Sequence, residues 1–274
     1  MGLNIMKKVD NLKDIQDIEL GILEYVVDVC KKNKLRYYLA GGTLLGAIRH
    51  QGFIPWDNDI DIAMPRFDFK RLIDIMDQNS DFRYKLLAVK NNNSYCLPFV
   101  KVVDLKTRLF ELTGDCKMSE MGVFIDIFPI DALSDDEKIA LKQFHFVRKW
   151  GRRIAGSVCF TQELSIYRKI THMIWFIVFK LLNREKCLKA VESRLKIKPM
   201  GNAKYVVSTY GLRGDKEIIS SDVFVDTIDV IFEGRKYCAP KGYDKYLKQM
   251  YGDYMKLPPK KERIAPHDVE VFIR

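Results

Sequence analysis

The chain has 274 residues, of which 47% are hydrophobic and 30% charged; this excludes intrinsic disorder as its overall state and suffices for one large domain or a domain with a lobe. Forty-six Lys and Arg against 36 Asp and Glu leave a formal net charge of +10. Such a surplus suits phosphorylated ligands, nucleic acid or an anionic membrane face, and it also serves solubility alone.

Cys30, Cys96, Cys116, Cys159, Cys187 and Cys238 are widely spread with no CxxC pair, which argues against zinc and a disulfide scaffold and suits a reducing cytoplasm. The opening MGLNIMKKVDNLKDIQ has no apolar signal region, and Met6 stands where a myristoylation string needs Ser or Thr. The most apolar run, Ile174 to Leu182, is too short for the roughly 20 residues that span a bilayer.

Leu12, Ile15, Ile18, Ile22, Leu23, Val26, Val27 and Cys30 recur at helical spacing, and Lys31, Lys32 and Lys34 close the helix as its dipole prefers. Leu35 to Ala40 reads as a strand stopped by Gly41-Gly42, after which Thr43 can cap a short helix, Leu44 to His50. A strand, two glycines and a helix N-terminus make a phosphate-sized nest of backbone N–H groups. From Asp57 to Ala63 the chain alternates, and period two predicts Asp57, Asp59 and Asp61 on one strand face with Asn58 on the other. A helix is expected over 66–79 and strands near 84–90, 95–103 and 107–112. Val123 to Phe128 alternates again, embedding Asp126 in an apolar strand. Ser134 with Asp135, Asp136 and Glu137 reads as a capping box opening a helix through Trp150. Residues 144–195, where aromatics mix with Arg and Lys, are expected to be a helical insert between core segments 1–143 and 196–274. Its residues Ile170, Met173, Ile174, Ile177 and Leu181 fit either an ordinary core face or a face lying in an anionic membrane interface. The C-terminal part holds a strand near Phe232, a helix around Tyr243 to Tyr251 and an extended Pro258-Pro259 tail.

Two carboxylates at i and i+2, Asp59 and Asp61, can share a divalent cation, and Asp126 from another strand can complete a hard oxygen site. Mg²⁺ suits it because it keeps positions for water and phosphate oxygens; a lone DxD is also what a solvated strand end contains. Cations should surround a transferred phosphoryl group, and Arg49, Lys101 and Arg108 are the candidates, each of which could equally be a surface cation. With four histidines and no HExxH, GxSxG or Walker A string, zinc, serine-hydrolase and P-loop chemistry are disfavoured.

The segment YYLAGGTLLGAIRHQGFIPWDNDIDIAM, with GVFIDIFPIDAL and YGDYMKLPPKKER, resembles the LicD family of bacterial phosphocholine transferases, related to fukutin and to the nucleotidyltransferase-fold superfamily. The resemblance implies an α+β fold with a nucleotidyltransferase-like mixed sheet flanked by helices. It implies a Mg²⁺ (or Mn²⁺) site at Asp59, Asp61 and Asp126, with Asp126 also helping to deprotonate the acceptor, and phosphate held by Gly41, Gly42 and Thr43. Asn58 departs from the family pattern, in which a further Asp is usual, and Asp57 reads as either an outer metal contact or a loop cap. Arg263 and His267 resemble the family's C-terminal Arg and His; His267 would bind phosphate or move a proton, or else be an exposed tail residue.

The activity implied is transfer of phosphocholine from CDP-choline to a hydroxyl of a cell-surface glycan or its lipid-linked precursor, not to nucleic acid. Another CDP-alcohol such as CDP-ribitol, or nucleotidyl transfer releasing pyrophosphate, are alternatives, and a non-catalytic membrane-associated protein is a third. A choline group would need an aromatic cage, for which Tyr37, Tyr38, Phe53, Trp56, Tyr251 and Tyr254 are available. A cytoplasmic protein at the inner membrane face is the location implied.

Overall fold

The computed structural model describes residues 7–78, 81–111, 121–159, 166–195, 202–265 and 269–274. Helix α1 (Leu12–Lys32) is capped by Asn11, whose side chain accepts from the Lys13 N–H, and carries Lys31 and Lys32 in its last turn. Its apolar stripe is buried as its spacing predicts, and Gln16 and Glu19 are buried with it. Strand β2 is shorter than expected, Tyr38–Leu39, and helix α2 (Gly41–His50) begins at the glycines themselves. Thr43 is therefore inside the helix, and the N-cap is Ala40 without a side-chain cap.

Strand β3 (Asp61–Pro65) leads directly into α3 (Arg66–Gln78). Then come β4 (Tyr84–Leu87), β5 (Val100–Asp104), β6 (Thr107–Glu111) and β7 (Phe124–Ala132). Helix α4 (Glu137–Ala155) is capped by Asp136, which accepts from the Ile139 N–H, while the Ser134 hydroxyl receives the Asp136 N–H. The expected capping box is thus displaced by two residues. Helices α5 (Ile166–Leu181) and α6 (Arg184–Glu192) follow, then β8 (Tyr205–Ser208) and β9 (Ile218–Ser220). A hairpin of β10 (Thr227–Phe232) and β11 (Arg235–Pro240) turns through Glu233 and Gly234, both at positive φ, as a two-residue primed turn requires. Helix α7 (Tyr243–Tyr251) and β12 (Val269–Ile273) complete the chain.

The main sheet runs β2-β3-β7-β5-β4, with β8 on the far half of β7 and β9 beyond it. Only the β3–β7 pair is parallel among these, so the sheet is mixed and the α+β expectation is borne out. Helix α1 packs on β5 and β7, and a second cluster of Phe144, Val147, Val207 and Tyr210 seats α4 beside β8. Helix α4 begins at Glu137 and so crosses the boundary expected at residue 144. In α5, Phe179 is buried and Trp175 stacks on it, whereas Ile170, Met173, Ile174, Ile177 and Leu181 are between 50% and 81% exposed. These five residues are not a core face.

A buried ion pair joins the layers. Arg66 at the head of α3 donates to both oxygens of Asp131 on β7, at 2.7 and 2.5 Å, and its Nη1 lies 3.1 Å from Glu192 on α6. Burial disfavours the guanidinium charge, but Asp131 and Glu192 outweigh it and raise its affinity for the proton. Removing one partner of such a pair strands a desolvated charge, so Arg66→Met should lower unfolding free energy by about 3–5 kcal/mol in urea titrations. A loss below about 1 kcal/mol would show that the pair is not a structural anchor.

Candidate active site

Register brings three charged residues into one row. Asp61 on β3 is the Cα partner of Asp126 on β7, and Asp126 is the partner of Lys101 on β5, so all three side chains stand on the same sheet face. Lys101 is buried, its ammonium 2.6 Å from Asp126 Oδ1 and 3.4 Å from the Phe124 ring centroid.

The acidic segment before β3 is not strand. Period two therefore does not set its faces, contrary to the expectation from the sequence: β3 starts only at Asp61, and Asp57 to Ile60 is an irregular segment in which Asn58 is buried. Its backbone is held at both ends. The Asp57 N–H donates to Ile54 O, Asp57 O accepts from Gln16 Nε2, and Ile60 O accepts from the Asp126 N–H. The Asp61 N–H donates to Thr43 Oγ1 at 2.8 Å, and Asp61 O accepts from the Ala40 N–H. Thr43 thus anchors the carboxylate-bearing backbone, and it is buried outside the cavity lining.

The glycines explain how the carboxylates reach the start of α2. A Cβ on Gly41, at φ +53°, would stand 2.6 Å from Asp61 Oδ2, and one on Gly42 would stand 2.7 Å from Asp57 Oδ2. Neither distance is compatible with a side chain. The positive end of the α2 dipole favours the negative charges placed against it.

Burial pushes the Asp61 carboxyl well above the usual range, helped by Asp59, Asp126 and Asp57 and opposed by Lys101. Burial and then Asp59 push Asp57 up in the same way. A further carboxyl, Glu19 on α1, is raised by burial and by Asp59, Asp57 and Asp126, and its Oε2 has no hydrogen-bond partner. Glu19 is absent from the sequence-based set, although its position, four after Ile15 and three before Ile22, puts it on the apolar stripe.

Gly41, Gly42, Asp57, Asp59, Asp61, Lys101 and Asp126 line one cavity of about 790 Å³. Its other walls come from Phe99 and Phe128, from Arg152 and His172 on α4 and α5, and from Arg213 and Tyr251. Arg152 and Arg213 are cations that the sequence does not single out for this site; Arg213 lies 4.4 Å from the Tyr251 ring centroid. Of the six aromatic residues expected to be available, Tyr251 alone lines the cavity.

Other expected residues lie elsewhere. Arg49 donates to Tyr254 O at 2.8 Å, and Arg263 donates to Pro258 O with its guanidinium 5.5 Å from the Trp56 ring, so both brace the C-terminal segment outside the cavity. Each donates to main-chain carbonyls of that segment. Arg108 is on β6, in a separate sheet of β1 (Lys7–Val9), β12 and β6, over the Phe110 ring. His267 lies outside the described residues.

Hard oxygen donors crowded beside one ammonium suit a divalent cation. They do not form a closed cage: among the described residues no three Asp, Glu, His or Cys converge on a common point, and Asp126 Oδ1 is engaged by Lys101. The donor chemistry fits Mg²⁺ or Mn²⁺.

Comparison with known proteins accords with this geometry. The family described as LicD/FKTN/FKRP, nucleotidyltransferase domain, matches residues 34–160. The chain is 32% identical over 280 residues to the lipopolysaccharide cholinephosphotransferase LicD of Haemophilus influenzae, covering 98% of this chain and all of that protein. It is 52% identical over 40 residues to the human and mouse ribitol 5-phosphate transferase FKRP, 15% of this chain and 8% of theirs.

Carboxyls with raised folded-state affinity hold protons that the unfolded chain releases, so in EDTA stability should fall as pH rises above the ordinary Asp and Glu range. The sign follows from Asp57, Asp61 and Glu19 together. Thermal melts in EDTA should therefore show a lower Tm at pH 8 than at pH 6, and Mg²⁺ should raise Tm more at pH 8, where fewer protons compete. A Mg²⁺ response absent at both pH values would remove the cation from this cavity.

Proposed function

This chain belongs to the LicD family of phosphotransferases, and we propose that it moves phosphocholine from CDP-choline to a hydroxyl of a cell-surface glycan, such as teichoic acid, lipopolysaccharide or capsule, or of its lipid-linked precursor. The observation that carries the reading is the Lys101, Asp126, Asp61 row beside the Asp57 to Asp59 turn, inside a cavity large enough for a nucleotide-alcohol. Full-length similarity to a cholinephosphotransferase supports choline as the alcohol, and Phe99, Phe128 and Tyr251 are aromatic faces available to a quaternary ammonium. The similarity to a ribitol 5-phosphate transferase supports CDP-ribitol as the second reading. A nucleotide-activated donor and cysteines scattered without a CxxC pair support a cytoplasmic reaction.

Asp59 and Asp61 are the residues that would hold Mg²⁺ or Mn²⁺, which when bound draws charge from the transferred phosphate. Asp126, fixed by Lys101, orients the acceptor hydroxyl and takes its proton as the oxygen attacks phosphorus. The new bond is acceptor oxygen to phosphorus; the bond broken joins that phosphorus to the bridging oxygen of CMP, which leaves. Arg152 and Arg213 on the facing wall meet the anionic donor, and the cavity limits competing attack by water.

With Mg²⁺, purified protein and a glycan acceptor, CDP-choline should yield CMP, and Asp59→Asn or Asp61→Asn should abolish transfer while leaving the fold as stable or slightly more so. Release of pyrophosphate from a nucleoside triphosphate would instead assign nucleotidyl transfer, and turnover confined to CDP-ribitol would replace the donor. Gly42→Ala is expected to cut turnover by about 100-fold with circular dichroism unchanged, because the new methyl displaces the Asp57 carboxylate. Undiminished turnover in that variant would mean that Asp57 has no part in positioning the site.

A further inference from the structure

Positive charge is unevenly distributed on this chain. Residues 137–181 carry nine Lys and Arg against two Glu, a net +7, whereas the rest of the chain carries 37 Lys and Arg against 34 Asp and Glu, a net +3. Most of the surplus therefore lies on α4, α5 and their connection. Lys149, Arg153, Lys169 and Lys180 there are exposed.

The same segment carries an uncovered apolar stripe. Ile170, Met173, Ile174, Ile177 and Leu181 are spaced so that they share one side of α5, and all are exposed. Trp175 and Phe179 occupy the opposite side and pack toward Trp150 and the core, with Arg153 of α4 lying 5.1 Å from the Trp175 ring centroid. His172, also on that inner side, lines the active-site cavity. Sixteen residues span about 24 Å. No helix among the described residues is long and apolar enough to cross a membrane.

We propose that α5 and the adjoining face of α4 dock on an anionic lipid bilayer, with α5 lying in the headgroup plane and its five exposed apolar side chains inserted. Apolar residues flanked by exposed lysines, with no acid on α5, are what such a surface selects. A second copy of this chain is disfavoured as the occupant, because it would set one +7 segment against another. Since α4 and α5 also wall the cavity through Arg152 and His172, docking brings that wall of the cavity within about one helix diameter, ~10 Å, of the lipid surface.

Vesicle flotation tests the surface without any substrate. The full chain should float with phosphatidylglycerol-containing vesicles at low salt, float weakly with phosphatidylcholine alone, and be released as salt rises. Lys169→Glu with Lys180→Glu, and separately Ile174→Ser with Ile177→Ser, should each reduce vesicle binding about tenfold or more. Both pairs are exposed and away from the cavity, so circular dichroism and turnover of soluble donor should be unchanged. Wild-type protein that stays unbound at low salt, or binding indifferent to both double variants, overturns the proposal. Sedimentation showing a dimer that the Ile174→Ser, Ile177→Ser variant dissolves would give the stripe to a second copy instead. Because flotation needs no turnover, its failure and a failure of the phosphocholine reading are separately visible.

Discussion

Carboxylates gathered in a poorly hydrated cavity repel one another, and the whole arrangement answers to that repulsion. Asp57, Asp59, Asp61 and Asp126 share their surroundings with Glu19 and with one buried ammonium, Lys101. Two like charges 4 Å apart cost about 4 kcal/mol at an effective dielectric of 20, a large share of a typical stability of about 5–15 kcal/mol. Retained protons relieve the strain in the absence of a cation. A bound cation would do so without giving up the negative charges.

The fold meets this demand by fixing both ends of the acidic segment through its backbone. Gln16, Thr43, Ala40, Ile54 and Asp126 supply the partners for its N–H and C=O groups, so the carboxylates line the cavity while main-chain bonds bear the structural duty. The parallel β3–β7 pairing then sets Asp61 against Asp126, and a one-residue slip would turn one of them to the opposite face. Two missing side chains complete the device, since Gly41 and Gly42 let the start of α2 approach where any Cβ would collide.

Much of this is legible in the sequence because it is periodic. The apolar stripe of α1, the alternation around Asp126, and the two glycines before a helix all report local geometry, and their elements stand near the expected positions. What depends on remote partners is not legible. Arg49 and Arg263 look like phosphate cations in one dimension, but carbonyls of Tyr254 and Pro258 claim them. Arg152 and Arg213, in contrast, reach the cavity only because α4 and the segment after β8 fold over it. Glu19 was within reach as a lone carboxylate on an apolar stripe. The exposed side of α5 could be settled only by the packing of Trp175 and Phe179 inward.

The small sheet places β12, residues 269–273, between β1, residues 7–9, and β6. Lys7 and Ile273, Cα partners across this sheet, are 266 residues apart along the chain, so the β1–β12 pair forms only when a very long loop closes. Such a contact slows folding more than it costs stability, because the entropy of closure grows only slowly with loop length. A variant lacking β12 would keep the catalytic sheet but leave the β1 edge open to other chains.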